Sequence, residues 1–171
     1  DCDPACGVRD VLLQHADRWP PLRPGQQLNA WERRTRITAI VADILDASRT
    51  TVALAGRYDA LYLLAAISDV NDVFHIPVES AQVNIMAVGH VLEAARRTGA
   101  GRVILASTTW VYALADPEEV DEDTPLRLNR VNHIYTASKL SAEMLCHSYH
   151  TLYGVDTTIL RYGIPNGPRA R

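Results

Sequence analysis

The sequence has little of what marks membrane-spanning or nucleic-acid-binding proteins. No apolar stretch approaches the ~20 residues that a helix needs to cross a bilayer. Its 17 lysines and arginines are outnumbered by 20 aspartates and glutamates, the formal net charge is -3, and no dense basic face is evident. Because nucleic acids are bound through such faces, we expect neither a nucleic acid nor a membrane among the partners of this protein.

Cysteine is scarce as well, with three residues in 171. Cys2 and Cys6 lack a second cluster of ligands, so neither a disulfide framework nor a zinc site is predicted. His147 and His150 stand one helical turn apart beside Cys146. Without further ligands we expect these histidines to face solvent and the cysteine to be a buried, small apolar residue. The sequence predicts no metal, and the default location is reducing and cytoplasmic.

The sequence also lacks a glycine-rich turn of the kind that holds a pyrophosphate. In such a turn the pattern G-x-G-x-x-G follows a strand and opens a helix, whose amides bind the phosphates. The close pair Gly99 and Gly101 follows a helical pattern and precedes a strand-like run, and Ile104 takes the third position. We interpret this pair as a helix cap and turn, so no pyrophosphate cradle is predicted.

What the sequence does contain is an alternation of strand and helix patterns. The apolar share of 47% and the charged share of 22% are typical of a globular protein, and the length suits one domain. The predicted strands are 37–42, 60–66, 103–106 and 157–160, and the predicted helices are 46–54, 80–98 and one around Tyr135. Alternation of this kind predicts right-handed crossovers and a parallel sheet. The predicted fold is therefore α/β, a doubly wound, Rossmann-like parallel sheet.

Tyr135 and Lys139 carry the strongest chemical signal. Four residues apart on a helix, their side chains project from the same face. The ammonium favours the phenolate and is expected to lower the phenol pKa from ~10 toward neutrality. Such a phenolate can take a proton from a sugar or alcohol hydroxyl, and Thr108 would supply a second hydroxyl. The Tyr-x-x-x-Lys spacing recurs by chance on many helices, so its meaning depends on its surroundings.

Those surroundings place three residues at strand ends. Ala66, Thr108 and Tyr162 each follow or end a predicted strand. In a parallel sheet the ligand crevice lies beyond the carboxyl ends of the strands. The sequence therefore predicts that these residues converge on one site. His133, just before Tyr135, is interpreted either as an ordinary loop residue or as a residue that lines the substrate side.

In this order the segments resemble the extended short-chain dehydrogenase/reductases, the NAD-dependent epimerase/dehydratases that act largely on nucleotide sugars. The matching segments are 41–46, 58–66, 84–96, 102–112, 135–139 and 160–169. The resemblance implies catalytic roles for Thr108, Tyr135 and Lys139. It implies a cofactor-binding set that consists of Asp43, Ile44, Leu64, Ala65, Ala66, Ser107, Tyr135, Lys139 and Tyr162. The implied cofactor is NAD, with NADP left open, and the implied substrate is a nucleotide sugar.

The resemblance also implies an organisation of the chain. We expect a poorly structured segment at 1–35 and a partial dinucleotide-binding catalytic domain at 36–171. The first strand, the glycine-rich turn and a substrate lobe are missing from this pattern, so a fragment is expected rather than a degenerate relative. The family pairs its subunits through the helices of Asn84 and Tyr135, and apolar residues on both faces of the second helix are compatible with a homodimer.

Several positions depart from the family pattern. Thr109 and Trp110 stand where sugar-nucleotide dehydratases carry an acidic pair, and neither can act as an acid or base at neutral pH. Ile164 takes the place of an asparagine that contacts substrate. The resulting expectation is an NAD-dependent nucleotide-sugar epimerase-type oxidoreductase, inactive as these 171 residues alone. The alternatives are a reductase or dehydratase on the same scaffold, or a non-catalytic pseudoenzyme or interaction module, which the absent glycine turn would favour.

Overall fold

A three-stranded parallel sheet organises the computed structural model, which describes residues 40, 42–55, 58–112 and 119–164. The strands are β1 (Ala60–Leu63), β2 (Arg102–Thr108) and β3 (Thr157–Tyr162), and β2 lies between the other two. In the register, Leu63 pairs with Leu105 and Thr108 pairs with Tyr162. The predicted parallel sheet is confirmed, and the paired ends of β2 and β3 lie at its carboxyl edge.

Helices connect the strands in the order that parallel crossovers require. They are α1 (Ala47–Ala53), α2 (Val70–His75), α3 (Pro77–Ala81), α4 (Ala87–Thr98) and α5 (Ile134–Tyr153). A π-helical turn, Gln82–Met86, joins α3 to α4, and short 3-10 turns cover Thr109–Tyr112 and Leu128–Arg130. The Asp46 carboxylate caps α1 by accepting from the backbone N–H groups of Ser48 and Arg49 at 3.1 and 3.0 Å. Asp46 is therefore the N-cap of α1.

The core lies between the sheet and helices α1, α4 and α5. Val103 and Leu105 of β2 are buried against Leu92 of α4 and Ala142 of α5. Cys146 belongs to the same cluster at 0% exposure and is a free thiol, which confirms its prediction as a buried apolar residue. No helix in the described ranges has both the length and the apolar character to cross a membrane.

The glycine pair after α4 forms a cap and a tight turn, as predicted. Gly99 has a φ of 65°, the left-handed conformation that ends a helix. Gly101 donates its N–H to the carbonyl of Tyr58 at 2.7 Å, and a Cβ there would lie 2.1 Å from the carbonyl oxygen of Asp59. The requirement for glycine at position 101 is therefore close backbone packing between β1 and β2.

Several predicted boundaries need correction. The strand predicted at 60–66 ends at Leu63, and β2 and β3 continue past the predicted 103–106 and 157–160 to Thr108 and Tyr162. The helical stretch predicted from residue 80 begins at Pro77, and Met86 within it is 56% exposed. Four residues after the end of β1, the backbone N–H and carbonyl of Ile67 bond to the Asn84 side chain. The predicted segment 1–35 and most of the strand predicted at 37–42 lie outside the described residues.

Candidate active site

The carboxyl edge of the sheet brings the predicted strand-end residues together. Thr108 and Tyr162 are partners in the register, and Leu64, Ala65 and Ala66 follow directly after β1. Thr108 is buried, Tyr162 is 45% exposed and Leu64 is 64% exposed. A buried hydroxyl therefore lies beside side chains that remain open to a ligand.

Tyr135 reaches this edge from the first turn of α5. Its phenol is half-buried, and the neighbouring Thr108 hydroxyl acts to lower the phenol pKa. The Thr108 Oγ1 also accepts from the backbone N–H of Trp110 at 3.2 Å. Thr109 is exposed and begins the 3-10 turn, so the strand ends at Thr108. The hydroxyl that meets Tyr135 is the predicted one.

His133 caps the helix that carries Tyr135. Its Nδ1 accepts from the backbone N–H of Tyr135 at 3.1 Å, which requires the tautomer with its proton on Nε2. The Trp110 ring lies edge-to-face with the rings of His133 and Tyr135, with centroids 6.1 and 6.2 Å apart. The sequence interpretation left His133 open, and its position two residues before Tyr135 at a helix start was the signal for capping.

Lys139 is almost completely buried behind Tyr135, at 5% exposure. Its Nζ donates to the carbonyl oxygen of Ala106 at 2.9 Å and lies 5.8 Å from the centroid of the Tyr135 ring. Burial lowers the pKa of Lys139 to about 8. It is also the only lysine of the sequence, a signal in the composition that the spacing argument did not use.

The expected direction of the Tyr135 pKa is wrong in this structure. Burial raises the pKa of the phenol, and the hydrogen bond with Thr108 opposes that rise. The physical reason is that Lys139 points its ammonium at the carbonyl of Ala106, and burial reduces its own preference for the charged form. Thr108 is therefore the group that favours the Tyr135 phenolate in this arrangement.

Ser107, expected in the cofactor-binding set, has its hydroxyl bonded to a carboxylate of α5, and its role in cofactor binding stays a prediction. Its Oγ donates to Oε1 of Glu143 at 2.5 Å, and Glu143 is fully buried. Oε2 of Glu143 accepts from Arg161 at 2.8 Å. The sequence interpretation missed Glu143, although it follows Lys139 by four residues just as Lys139 follows Tyr135, on the same helix.

Asp43 and Ile44, both expected in the cofactor-binding set, lie in a segment that contains a local hydrogen bond. Asp43 Oδ1 accepts from the backbone N–H of Leu45 at 2.9 Å. Ile44 is 1% exposed and packs in the core, so its side chain is not available to a ligand and only its backbone can meet one. The roles of Asp43 and Ile44 in cofactor binding stay predictions.

Asn84 connects the loop after β1 to α5. Its Oδ1 accepts from the N–H of Ile67 at 2.8 Å, and its Nδ2 donates to the carbonyl of Ile67 at 2.9 Å and to Ser138 Oγ at 3.1 Å. Ser138 in turn donates to the carbonyl of Tyr135 at 2.8 Å. Asn84 is thus bonded both to the loop after β1 and to the helix that carries Tyr135.

The remaining candidates lie away from this edge. His147 and His150 are exposed, as predicted, and no group of three His, Cys, Asp or Glu side chains in the described ranges could hold a metal ion. Cys2 and Cys6 lie outside those ranges. His150 Nδ1 lies 3.0 Å from the carbonyl oxygen of Val155, so its ring bonds to the turn after α5.

Comparison with protein families gives one match over nearly the whole chain. The model described as NAD dependent epimerase/dehydratase family matches residues 7–171. The match begins well before residue 36, where the resemblance in the motifs begins. The N-terminal segment is therefore included in the similarity.

Curated proteins similar to this chain include an epimerase and a dehydratase. The UDP-glucuronate 4-epimerase of Thermodesulfobacterium geofontis is 35% identical over 115 residues, which cover 66% of this chain and 34% of that protein. The dTDP-glucose 4,6-dehydratase of Streptomyces griseus is 33% identical over 163 residues, 95% of this chain and 48% of that protein. The chain spans between about a third and a half of the length of these relatives.

Solved structures agree with the fold. UDP-glucuronic acid 4-epimerase from Bacillus cereus, in complex with UDP-glucuronic acid and NAD, is similar with a TM-score of 0.71 and 31% identity, covering 84% of this chain and 44% of that one. DesIV, a dTDP-glucose 4,6-dehydratase from Streptomyces venezuelae with NAD and TYD bound, is similar with a TM-score of 0.70 and 30% identity, covering 78% and 40%. These likenesses confirm the predicted Rossmann-like α/β fold.

Proposed function

This chain belongs to the NAD dependent epimerase/dehydratase family, and we propose that it supplies the catalytic hydroxyls of an NAD-dependent nucleotide-sugar epimerase-type oxidoreductase. One observation carries the proposal. The Tyr135 phenol and the Lys139 ammonium, which lies 5.8 Å from the Tyr135 ring and donates to the carbonyl of Ala106, meet where β2 ends at Thr108. The chain covers 34–48% of the length of the curated relatives described above. The proposed activity is therefore that of a longer protein, in which these residues form the catalytic part.

The polar groups at this edge fit the ribose of a nicotinamide nucleotide. An ammonium has three N–H donors, and Lys139 commits one to the carbonyl of Ala106, which leaves two for ribose hydroxyls. When bound, NAD would supply the acceptor and then the donor of a hydride for the sugar carbon. We propose that the exposed Leu64 and Tyr162 border the cofactor, with Asp43 at its adenine end.

Tyr135 is the proposed proton-transfer group. In the first half of the reaction its phenolate oxygen takes the proton of the sugar hydroxyl as the carbon–oxygen bond becomes a carbonyl. In the second half the phenol returns a proton to that oxygen after the sugar has turned its other face. Burial raises the pKa of Tyr135, so the phenol form that the second half needs is the resting form at neutral pH. The first half relies on the Thr108 hydroxyl, which favours the phenolate.

Trp110 and Thr109 favour an epimerase over a dehydratase. Elimination of water from the sugar requires an acid and a base besides the tyrosine. Trp110 is 45% exposed beside the phenol, and its indole does not ionise at neutral pH. The dehydratase remains the second candidate because a relative of that activity matches 95% of the chain.

A chimera tests the proposal. Residues 40–164 of this chain would replace the matching segment of the Bacillus cereus UDP-glucuronic acid 4-epimerase, and UDP-glucuronic acid would be incubated with the chimera and NAD. We expect proton NMR to show the 4-epimer. A folded chimera that binds NAD and forms no epimer would contradict the proposal, and a 4-keto-6-deoxy product from dTDP-glucose would identify a dehydratase.

We further propose a homodimer as the assembly. Met86 and Met144 are 56% and 47% exposed, on the 77–98 helical stretch and on α5, two elements that pack side by side. Their burial in a second copy would remove apolar surface from water. Sedimentation velocity of the chain would show a dimer, and Met144→Asp would shift it to the monomer, whereas a monomer at all concentrations would refute this assembly.

A cytoplasmic location completes the proposal. Cys146 is a free, buried thiol, and unpaired cysteines are ordinary in compartments where thiols stay reduced. A fluorescent fusion expressed in its native host would locate the protein.

A further inference from the structure

A fully buried carboxylate lies directly behind the catalytic residues. Glu143 of α5 has 0% exposure. Its Oε1 accepts from Ser107 Oγ at 2.5 Å and from Arg161 Nε at 3.2 Å, and its Oε2 accepts from Arg161 Nη2 at 2.8 Å. A buried charge without partners is strongly unfavourable, and here the carboxylate has a two-pronged guanidinium and a hydroxyl.

Arg161 extends the network to the loop after β2. Its Nη1 donates to the hydroxyl of Tyr112, and its guanidinium carbon lies 4.8 Å from the centroid of the Tyr112 ring. Tyr112 ends the 3-10 turn that begins at Thr109. One carboxylate on α5 is therefore bonded to β2, to β3 and, through Arg161, to the turn that follows Thr108.

Three members of the network are placed next to a residue of the site. Ser107 directly precedes Thr108, and Arg161 directly precedes Tyr162. Glu143 follows Lys139 by one helical turn, on the helix that also carries Tyr135. A change in the distance between Glu143 and Ser107 would therefore move the Thr108 hydroxyl relative to the Tyr135 phenol.

We propose that Glu143 is a positioning residue which, through Ser107 and Arg161, holds the end of β2 against α5 and keeps the Thr108 hydroxyl within reach of Tyr135. Ser107 then acts through Glu143, with its hydroxyl proton committed to the carboxylate, and this revises the direct cofactor contact that the resemblance implied for it. The role rests on the proposed function only in taking Tyr135 and Thr108 as the reacting pair.

The Tyr135 phenol itself provides the readout. The chain would carry tyrosine labelled with 13C at Cζ, the Tyr135 signal would be assigned with Tyr135→Phe, and its titration followed by NMR. Thr108→Val removes the hydrogen bond that opposes the raised pKa, so its midpoint should rise. We expect Ser107→Ala and Glu143→Gln to raise the midpoint in the same direction and by a comparable amount.

A matched control separates positioning from general stability. Cys146→Ala also truncates a residue of α5 at 0% exposure, so it should lower the melting temperature through a cavity and leave the Tyr135 midpoint unchanged. Ser107→Ala keeps the Glu143–Arg161 pair, so it decides the question even where Glu143→Gln does not fold.

Two results would overturn the proposal. One is a rise of the midpoint in Thr108→Val with a wild-type midpoint in Ser107→Ala. The other is no rise in Thr108→Val, because the hydrogen bond that Glu143 is said to maintain would then be absent. The titration requires neither NAD nor a sugar, so failure of the epimerase assay and failure of this inference are separate outcomes.

Discussion

The Lys139 ammonium donates a hydrogen bond to the carbonyl oxygen of Ala106 at 2.9 Å, and the lysine is only 5% exposed. The bond holds the cation against the strand that ends in Thr108, with the Tyr135 ring 5.8 Å from Nζ. A buried ammonium with one carbonyl partner is easier to deprotonate than one in water. The first prediction therefore concerns the pKa of this ammonium.

We predict that Lys139 titrates near pH 8, because burial lowers its pKa to about 8 from the ordinary 10.5. Between these two values the unfolded chain binds more protons than the folded one, so the contribution of Lys139 to stability rises with pH through that window and is constant below it. NMR of the ε-amine would give the midpoint, and melting temperatures from pH 7 to 9.5 would give the linkage.

The control for this linkage is Lys139→Met, which has a side chain of similar length and no charge. It should remove the rise in stability between pH 8 and 9.5 while other groups continue to titrate. The raised pKa of Tyr135 acts in the opposite sense above its ordinary value of 10.0, so the comparison is made below that pH. An amine midpoint near 10.5 would show that Lys139 is solvated.

In the chimera, Tyr135→Phe should abolish most turnover and leave NAD binding largely intact. The phenol oxygen acts on the reacting proton, whereas the ring mainly fills space beside Trp110. Acid–base groups contribute about 10²–10⁴-fold, so a loss of that order in kcat is expected. Steady-state kinetics with a near wild-type kcat would reject Tyr135 as the proton-transfer group.

Substitutions of the two adjacent threonines should have different effects on the kinetic constants. Thr108 is buried and acts to lower the pKa of Tyr135, whereas Thr109 is exposed. Thr108→Val in the chimera should lower kcat, by at most a few kcal/mol of transition-state stabilisation. Thr109→Val, the matched control, should change KM or stability instead. A larger kcat effect from Thr109→Val would reverse the assignment.

The 171-residue polypeptide by itself should bind NAD very weakly and turn over no nucleotide sugar. Its sequence contains no G-x-G-x-x-G turn, and each charge-assisted amide contact that such a turn provides is worth ~1.5–3 kcal/mol. The loss of several contacts reduces affinity by orders of magnitude. Calorimetric titration would check this, and a micromolar dissociation constant would contradict it.

Gly101→Ala should destabilise the fold by about 1–3 kcal/mol. The added Cβ would lie 2.1 Å from the carbonyl oxygen of Asp59, which is backbone and cannot move aside alone. Gly89→Ala in α4 meets nothing within 4 Å, and alanine is the better helix residue by about 1 kcal/mol. Chemical denaturation of both variants should give opposite signs, and equal effects would show that the sheet adjusts to the added methyl.

The hydrophobic pattern predicted the sheet. The positions of Thr108 and Tyr162 at predicted strand ends predicted that they meet, because parallel strands place their carboxyl ends together. These patterns could not predict the charge state of the site. The pKa of Tyr135 depends on where the Lys139 ammonium points, and the acceptor at Ala106 is set by tertiary packing. The ion pair of Glu143 with Arg161 joins residues 18 positions apart on a helix and a strand, a contact that local patterns do not encode.

The end of β1 is a second feature that the hydrophobic pattern did not predict. Its apolar run continues to Ala66, and composition alone predicts a strand to that point. The strand stops at Leu63, and at Ile67 the Asn84 side chain bonds to both polar backbone groups. An amide side chain 17 positions away cannot be recognised as a strand partner from hydrophobic pattern.

Lys139 is the only lysine in the chain and it is buried, so every other basic side chain apart from histidine is a guanidinium, which amine reagents do not modify. An acylating or reductively alkylating reagent would therefore meet two amines, the α-amino group and the ε-amine beside Tyr135. Acylation at Lys139 would remove the buried positive charge without any mutation. The extent of acylation at Lys139, measured by mass spectrometry, would then report how often this site opens to solvent.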